Sequence, residues 1–109
     1  MNLETYYEYC LSKKGVTESF PFGPDTLVFK LGEKLFLMAS LDSVPLHFNV
    51  KSDPDEAVQL RDTYSSVMPG YHMNKKHWNT VIADGTLNNK QLLQMIDDSY
   101  NLVNKKAKG

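Results

Sequence analysis

Two segments, "TLVFKL" (residues 26–31) and "PLHFNVK" (residues 45–51), alternate apolar and polar residues at every second position. A period of two is the pattern of a β-strand that covers one face and leaves the other open. The apolar positions predicted to face a core are Leu27, Phe29, Leu31, Leu46, Phe48 and Val50. The polar positions predicted to face outward include Lys30, His47, Asn49 and Lys51. The chain is therefore expected to build an antiparallel sheet with one open face.

Short turn sequences predict hairpins in two places. "GEK" (32–34) joins the first strand to "LFLMASL" (35–41). Further along, "NKK" (74–76) separates the strand candidates "GYHM" (70–73) and "HWNTVIA" (77–83). Connections of this length join neighbouring antiparallel strands. Both hairpin tips are therefore expected to carry lysines.

Segments with helical spacing lie on both sides of these strands. The first helix is expected to end near a left-handed Gly15. The second is expected to begin with Asp53 as its N-cap, to have a capping box completed by Glu56, and to continue to Val67. The third is expected from about Asn88. The predicted order is α-β-β-β-α-β-β-α, which is typical of a two-layer α+β sandwich with helices on one face of an antiparallel sheet.

Length and composition limit the class of protein. The 109 residues suffice for one core and contain no linker, which predicts a single domain over residues 1–109. Cys10 is the sole cysteine, so neither an intrachain disulfide nor a cysteine-based zinc site can form. No basic leader opens the chain, and no window approaches the roughly 18 apolar residues of a membrane span. These features predict a cytoplasmic protein with no membrane partner.

Catalytic and metal-binding patterns are weak in this sequence. Asp97 and Asp98 are adjacent on a predicted helix and so diverge, whereas paired acids must converge for acid–base chemistry. His72 and His77 could meet across a hairpin, but solvated loop histidines explain them more simply, and His47 is remote in sequence. The sequence has neither a nucleophile motif nor a glycine-rich phosphate loop. We therefore expect no catalytic residue, no metal ligand, no cofactor and no enzyme activity.

Charge is distributed unevenly along the chain, although the net charge is only −1. Segments 26–51 and 70–83 hold five lysines and two acidic residues, a net charge of +3, which leaves −4 for the rest. The sheet side is thus predicted to be basic and the helical side acidic. A basic face can steer a polyanion such as DNA to the sheet. Trp78 has two interpretations here, as an exposed ring that stacks on an unpaired base or as a cap on the core.

The chain contains, in this order, "FPFGPDTLVFKLGEKLF", "LHFNVKSDPDEAVQLRDTY", "VMPGYHMNKKHWNTV" and "SYNLV". These stretches extend from Phe20 to Val103 and together resemble the MmcQ/YjbR family of small bacterial proteins. The resemblance implies a secretion-chaperone-like fold, in which an antiparallel sheet packs against helices. It also implies DNA binding through a double-wing motif, whose wings are β-hairpins.

The resemblance places the two wing tips at residues 32–34 and 74–77. Lysines at the tips would contact phosphates and asparagines would reach phosphates or base edges, whereas Glu33 would repel phosphate. The candidate nucleic-acid-binding residues of the wings and the open face are Lys30, Lys34, Lys51, Asn74, Lys75, Lys76, His77, Trp78 and Asn79. Residues 20–23 are expected to form a structural corner in which two aromatic rings pack.

The leading hypothesis is a non-catalytic DNA-binding module that uses basic hairpin wings and the open sheet face. The alternative is a protein-interaction or chaperone-like adaptor that holds a peptide on the sheet. Apolar residues at outward positions would favour the adaptor, and the candidates for such positions are Val28, Phe36 and Met38. An enzyme that acts on a small ligand would need a pocket, which the sequence alone does not reveal.

Overall fold

In a computed structural model, which describes residues 3–70 and 74–108, three helices pack against one six-stranded antiparallel sheet. The helices are α1 (Leu3–Leu11), α2 (Pro54–Thr63) and α3 (Asn89–Lys108). The strands are β1 (Val16–Ser19), β2 (Thr26–Leu31), β3 (Lys34–Ser40), β4 (Leu46–Lys51), β5 (Val67–Pro69) and β6 (Trp78–Ala83). Their order across the sheet is β1-β2-β3-β4-β6-β5. Within this described part of the chain, none of the helices has the length and apolar character needed to cross a membrane.

The α+β class and the two-layer arrangement are confirmed, with one strand more than the sequence predicts. β1 lies at the edge of the sheet, where Val16 pairs with Leu31 and Ser19 pairs with Val28. Its sequence, "VTES", is short and has exposed residues at its centre, so it lacks the apolar alternation that would reveal a strand. The order along the chain is therefore α-β-β-β-β-α-β-β-α.

The hydrophobic core lies between the sheet and the helices. All six apolar strand positions predicted to face it do so. Leu27, Phe29, Phe48 and Val50 belong to one buried cluster, and Leu31 and Leu46 are partly buried and pack against it. Tyr6 of α1 packs on Phe48 with ring centroids 5.1 Å apart, and Tyr100 of α3 meets Phe36 edge-on at 5.5 Å. Burial stabilises a folded protein by about 1.5–3 kcal/mol for each large apolar side chain, so this layer supplies most of the driving force for folding.

A β-bulge in β3 connects the sheet to α3. The register between β2 and β3 shifts after Phe29, which leaves Phe36 as an extra residue in β3. The buried Ser99 hydroxyl donates a hydrogen bond to the Phe36 carbonyl and accepts one from the Lys51 N–H at 2.8 Å. Ser99 therefore joins α3 to both β3 and β4 at the point where the bulge interrupts the ladder.

The start of α2 agrees with prediction in its N-cap but not in its capping box. The Asp53 carboxylate accepts a hydrogen bond from the Asp55 N–H at 3.2 Å, and Pro54 is the first helical residue. Glu56, which is predicted to complete the box, instead lines a groove beside Asp98 of α3. The first turn of α2 therefore holds three acidic residues near the positive end of the helix dipole.

The predicted extension of α2 to Val67 is wrong. Tyr64 adopts an extended conformation, and Val67 opens β5, where it pairs with Val81 and is 3% exposed. Val67 fits helical spacing, but a β-branched side chain is equally suited to a buried strand. The strand predicted at 70–73 lies mostly outside the described residues, although the Gly70 N–H donates to the Trp78 carbonyl at 2.9 Å.

Side chains tie α1 to α3 beyond the end of the first helix. α1 ends at Leu11, earlier than predicted. Gly15 has a positive φ of 80°, which agrees with the left-handed conformation predicted for it. The Tyr9 hydroxyl donates to Asp97 at 2.7 Å, and the Lys13 ammonium pairs with the same carboxylate. Lys13 is therefore engaged within the fold.

Candidate nucleic-acid interface

The two predicted wing tips lie at the same end of the sheet. β3 begins at Lys34, directly after the turn at residues 32–33, and runs antiparallel to β4, which ends at Lys51. Lys51 pairs with Trp78, and Trp78 begins β6 directly after the turn at residues 74–77. We call the end of the sheet that carries these two turns the tip end, and the opposite end the far end.

Most of the positive charge gathers at the tip end. The segment after α1 reaches this end because β1 begins there, and the last turns of α3 reach it because the Tyr100 hydroxyl donates to the Lys14 carbonyl at 2.7 Å. Seven of the twelve basic residues belong to the parts of these segments whose side chains the structure describes: Lys13, Lys14, Lys30, Lys34, Lys51, Lys75 and Lys76. The described lysines are thus concentrated toward one end of the sheet, a feature that the sequence alone did not predict.

Acidic side chains oppose this charge on the helical side. Glu33 occupies the first tip, and α2 begins at the tip end with Asp53, Asp55 and Glu56 around its first turn. The basic surface is therefore concentrated on the open face and at the second tip. The second tip, residues 74–77, contains no acidic residue. Carboxylates repel the negatively charged phosphates, so the acidic residues at the start of α2 would direct a polyanion toward the open face.

Strand register divides the open face into three rows of side chains. The lysine row, nearest the tip end, contains Lys30, Lys51 and Trp78. The central row contains Val28, Met38, Asn49, Thr80 and Met68. The far row contains Thr26, Ser40, His47 and Ile82. The four polar residues predicted to face outward all lie in these rows, and neighbouring rows are about 7 Å apart because two strand residues separate them.

A pocket of about 290 Å³ lies in the central and far rows. Its lining residues are Ser40, His47, Asn49, Met68 and Thr80. The Thr80 hydroxyl donates a hydrogen bond to Asn49 Oδ1, and Met68 is 39% exposed. Sequence reasoning missed this pocket because its residues come from four strands, whose order across the sheet cannot be read from the alternation of residues.

The second tip is a hydrogen-bonded turn that leaves its two lysines exposed. Asn74 Oδ1 accepts a hydrogen bond from the Lys76 N–H at 2.9 Å, and the Asn74 carbonyl accepts one from the His77 N–H at 3.2 Å. The Lys75 ammonium donates to the Gly70 carbonyl at 3.2 Å. Asn74, Lys75 and Lys76 are exposed, and His77 is half-buried. The turn therefore holds two cationic side chains in a defined loop at the tip end.

Two of the candidate residues are not available on the open face. Asn79 pairs with Val50 on the helical side, is 1% exposed, and donates through Nδ2 to the Ala57 carbonyl of α2 at 3.2 Å. The prediction of Asn79 as a contact residue is wrong, because its inward position commits the amide to a buried carbonyl. Trp78 lies in the lysine row but is only 9% exposed, so its ring packs into the protein and offers no broad stacking surface.

The three residues whose exposure would favour peptide binding add little apolar surface to the open face. Phe36 lies in the core on the helical side, and Val28 is on the open side but fully buried, with 0% exposure for each. Met38 is half-buried in the central row. Of the three residues that would favour a peptide-binding face, Met38 alone retains partial exposure there.

Exposed apolar side chains lie instead at the far end. Phe20 is 47% exposed, Phe22 is 66% exposed and Val44 is 96% exposed, in the loops before β2 and before β4. The predicted corner in which Phe20 and Phe22 pack is therefore wrong. The prolines and Gly23 shape the loop, but they turn the aromatic rings toward solvent.

Reactive groups are sparse in the described residues. Burial raises the pKa of the Cys10 thiol to about 12, so little of the nucleophilic thiolate is present at neutral pH. Across residues 3–70 and 74–108, no three His, Cys, Asp or Glu side chains come close enough together to hold a metal ion. His72, one of the three histidines considered as metal ligands, lies outside these ranges.

A second concave surface, of about 270 Å³, lies between α2 and α3. Leu60 and Tyr64 contribute apolar surface, while Glu56 and Asp98 contribute carboxylates. Burial and the nearby charges of Asp98 and Asp53 raise the pKa of Glu56 above its ordinary value. The groove therefore carries two carboxylates against one ammonium, that of Lys90, which makes it a poorer site for phosphate than the tip end.

A family model described as YjbR matches residues 11–102 of the chain. Uncharacterized protein YbdF of Escherichia coli O157:H7 is 43% identical over 101 residues, which cover 92% of this chain and 82% of YbdF. Uncharacterized protein YjbR of Escherichia coli strain K12 is 32% identical over 100 residues, which cover 92% of this chain and 85% of YjbR.

Solved structures have the same fold. The crystal structure of Deinococcus radiodurans protein DR2400, with a domain described as DUF419, superposes with a TM-score of 0.91 at 35% identity, over 97% of this chain and 80% of that chain. A crystal structure of a protein from Pseudomonas syringae superposes with a TM-score of 0.82 at 26% identity, over 94% of this chain and 99% of that chain. The sheet and its helices are therefore shared with these bacterial proteins.

Proposed function

This chain belongs to the YjbR family, and from that premise we propose that it is a non-catalytic DNA-binding module. The observation that carries the proposal is the convergence of lysines at the tip end. The lysines assigned to phosphate contacts are Lys30, Lys34, Lys51, Lys75 and Lys76. Asn74 and His77 add hydrogen-bonding groups at the second tip, where they can reach phosphates or base edges.

The spacing of these lysines suits a charged backbone more than a single small anion. They lie on two turns and on one row of the open face, so they are spread along the tip end. Each neutralised phosphate releases counterions, and five contacts would give a slope of log K against log salt of about −4. Binding of this kind depends on DNA charge and carries little sequence preference.

In this proposal the β2–β3 hairpin and the turn at residues 74–77 act as the double wing. Glu33 weakens the first wing, so the second, with two adjacent lysines, supplies the larger share of the affinity. We propose the cytoplasm as the compartment of the protein, because a single buried thiol suits a reducing environment.

A matched pair of variants tests the proposal. Lys76→Ala and Lys90→Ala each remove one exposed lysine and change the net charge equally, but Lys76 is at the tip end and Lys90 opens α3 away from it. Fluorescence anisotropy with labelled DNA is expected to show binding weakened about threefold to fivefold for Lys76→Ala and unchanged for Lys90→Ala. Equal effects of the two variants would mean that net charge, and not the tip end, attracts DNA.

A protein-interaction module is the second candidate, and the exposed apolar loops of the far end favour it. Phe20, Phe22 and Val44 present the kind of apolar surface that marks protein contacts. A photo-crosslinking residue placed at Phe22, compared with one at Lys76, separates the two functions in cells. Protein adducts from position 22 without DNA adducts from position 76 would favour the adaptor, and the reverse would favour DNA binding.

A further inference from the structure

We propose that the open-face pocket holds an unpaired nucleobase, so that the protein binds single-stranded DNA in preference to duplex DNA. This inference rests on the proposed function and adds a strand preference to it. The pocket-lining residues Ser40, His47, Asn49, Met68 and Thr80 bind the base, while the neighbouring lysines hold the backbone.

The chemistry of the lining suits a flat polar ring. Asn49 Oδ1 accepts a hydrogen bond from the Thr80 hydroxyl, and this bond orients the Asn49 carboxamide. A carboxamide has two N–H donors and two acceptor lone pairs for hydrogen bonds. Ser40 and His47 add further polar groups, and the Met68 thioether is a favourable neighbour for an aromatic face. A volume of about 290 Å³ is just below the usual range of small-molecule pockets, which suits one ring system.

The position of the pocket links it to the lysines. Along β4, Asn49 in the central row is followed by Lys51 in the lysine row, a rise of about 7 Å. A strand whose phosphates lie along the lysine row can therefore place a base in the central row. In a duplex the same base is stacked and paired, and extruding it costs a few kcal/mol, so duplex DNA is restricted to contacts with the lysines.

The test compares one labelled single strand with the duplex of the same sequence by fluorescence anisotropy, for the full chain and three variants. Ser40→Phe fills the pocket from β3 without entering the core on the helical side, and Met68→Ala removes the thioether. Val58→Ala is the control, because Val58 is 48% exposed on α2 and thus resembles Met68 in exposure. Thermal melting of each variant checks that the fold is retained.

The expected result is single-strand binding weakened about tenfold by Ser40→Phe, within the loss that one stacked base causes. Met68→Ala is expected to weaken it about threefold, and Val58→Ala not at all. Duplex affinity and the salt slope are expected to stay the same in all three variants, because the lysines are intact.

The outcomes separate this inference from the proposed function. Equal binding of single strand and duplex, with no effect of Ser40→Phe, would overturn the base pocket and leave the proposed function standing. Failure of both DNAs to bind at low salt would overturn the proposed function and the inference with it. An RNA strand of the same sequence is titrated in parallel, and a clear preference for RNA would overturn the assignment to DNA.

Discussion

Replacing Ser99 with alanine is expected to destabilise the protein out of proportion to the size of the change. The Ser99 hydroxyl is 0% exposed and makes two hydrogen bonds, to the Phe36 carbonyl at the β3 bulge and from the Lys51 N–H of β4. The variant loses both bonds at once and leaves one buried and one partly buried backbone group without this partner. The substitution therefore tests whether the bulge and α3 are linked as described.

The magnitude follows from three contributions. Each backbone group that loses a buried hydrogen bond costs about 1–3 kcal/mol, so two groups cost roughly 3 kcal/mol when each is taken at about 1.5 kcal/mol. Alanine is a better helix former than serine, which returns about 0.5 kcal/mol. The net loss is about 2–3 kcal/mol, and a domain of this size loses several degrees of melting temperature for each kcal/mol, or about 10 °C in total.

Thermal unfolding followed by circular dichroism measures this effect. Ser65→Ala is the matched control, because Ser65 is exposed in the turn between α2 and β5 and is expected to change stability by less than about 0.5 kcal/mol. An unchanged or raised melting temperature for Ser99→Ala would refute the reasoning, since helix propensity would then outweigh the two hydrogen bonds.

Three further predictions concern individual side chains. Glu56→Gln is expected to stabilise the fold at neutral pH, because it removes a carboxylate that lies near the charges of Asp98 and Asp53. The gain is only about 0.2–0.5 kcal/mol, because solvent screens this exposed group. The raised pKa of Glu56 means that its ionisation opposes folding, so denaturation at a series of pH values should show the gain vanish as the pH falls below the ordinary glutamate range. Asp84 accepts a hydrogen bond from the Thr86 N–H at 3.0 Å, and this bond is the first cause of its lowered pKa. Its contribution to stability is present at neutral pH and lost as the pH falls through that lowered pKa, so Asp84→Asn should flatten the acid side of the stability profile, and a profile as steep as that of the unaltered protein would contradict it. Trp78→Ala is expected to cost about 3 kcal/mol in denaturant titration, because the ring is 9% exposed, whereas lost DNA binding at unchanged stability would restore the stacking interpretation.

The alternation of residues was sufficient to assign the two faces of β2 and β4. Leu27, Phe48 and Val50 face the core, and Asn49 faces the open side, because burial of one face sets the register of a strand. The same rule failed at Asn79, a polar residue at an inward position. Its amide nitrogen donates to a carbonyl of α2, and such a long-range partner leaves no mark in the local pattern.

Other elements were missed because two structures compete for the same residues. Val67 continues the helical spacing of α2, but burial against Val81 in the sheet outweighs one more helical turn. The edge strand β1 is held by pairing with β2 and not by an apolar face, so its polar sequence resembles a loop.

Individual residues of the candidate interface could be predicted from the sequence, but their positions relative to one another could not. Lys51 and Lys76 are evident in the sequence, yet they share one end of the sheet only because β6 is inserted between β4 and β5. The open-face pocket depends on the same strand order. Sequence patterns describe which way a side chain points from its own strand, whereas the neighbours of a strand are decided by packing of the whole chain.

The most direct test of the proposed function is the salt dependence of DNA binding, measured by anisotropy between about 50 and 200 mM salt for the unaltered chain and for Lys75→Ala/Lys76→Ala. With five phosphate contacts and a slope of about −4, the affinity is expected to fall about 250-fold over this range, and the slope is expected to be shallower by about 1.5 in the double variant, for every DNA sequence tried. Binding that is absent at low salt, or a slope that the double variant leaves unchanged, would contradict the assignment of the tip end as a DNA-binding surface.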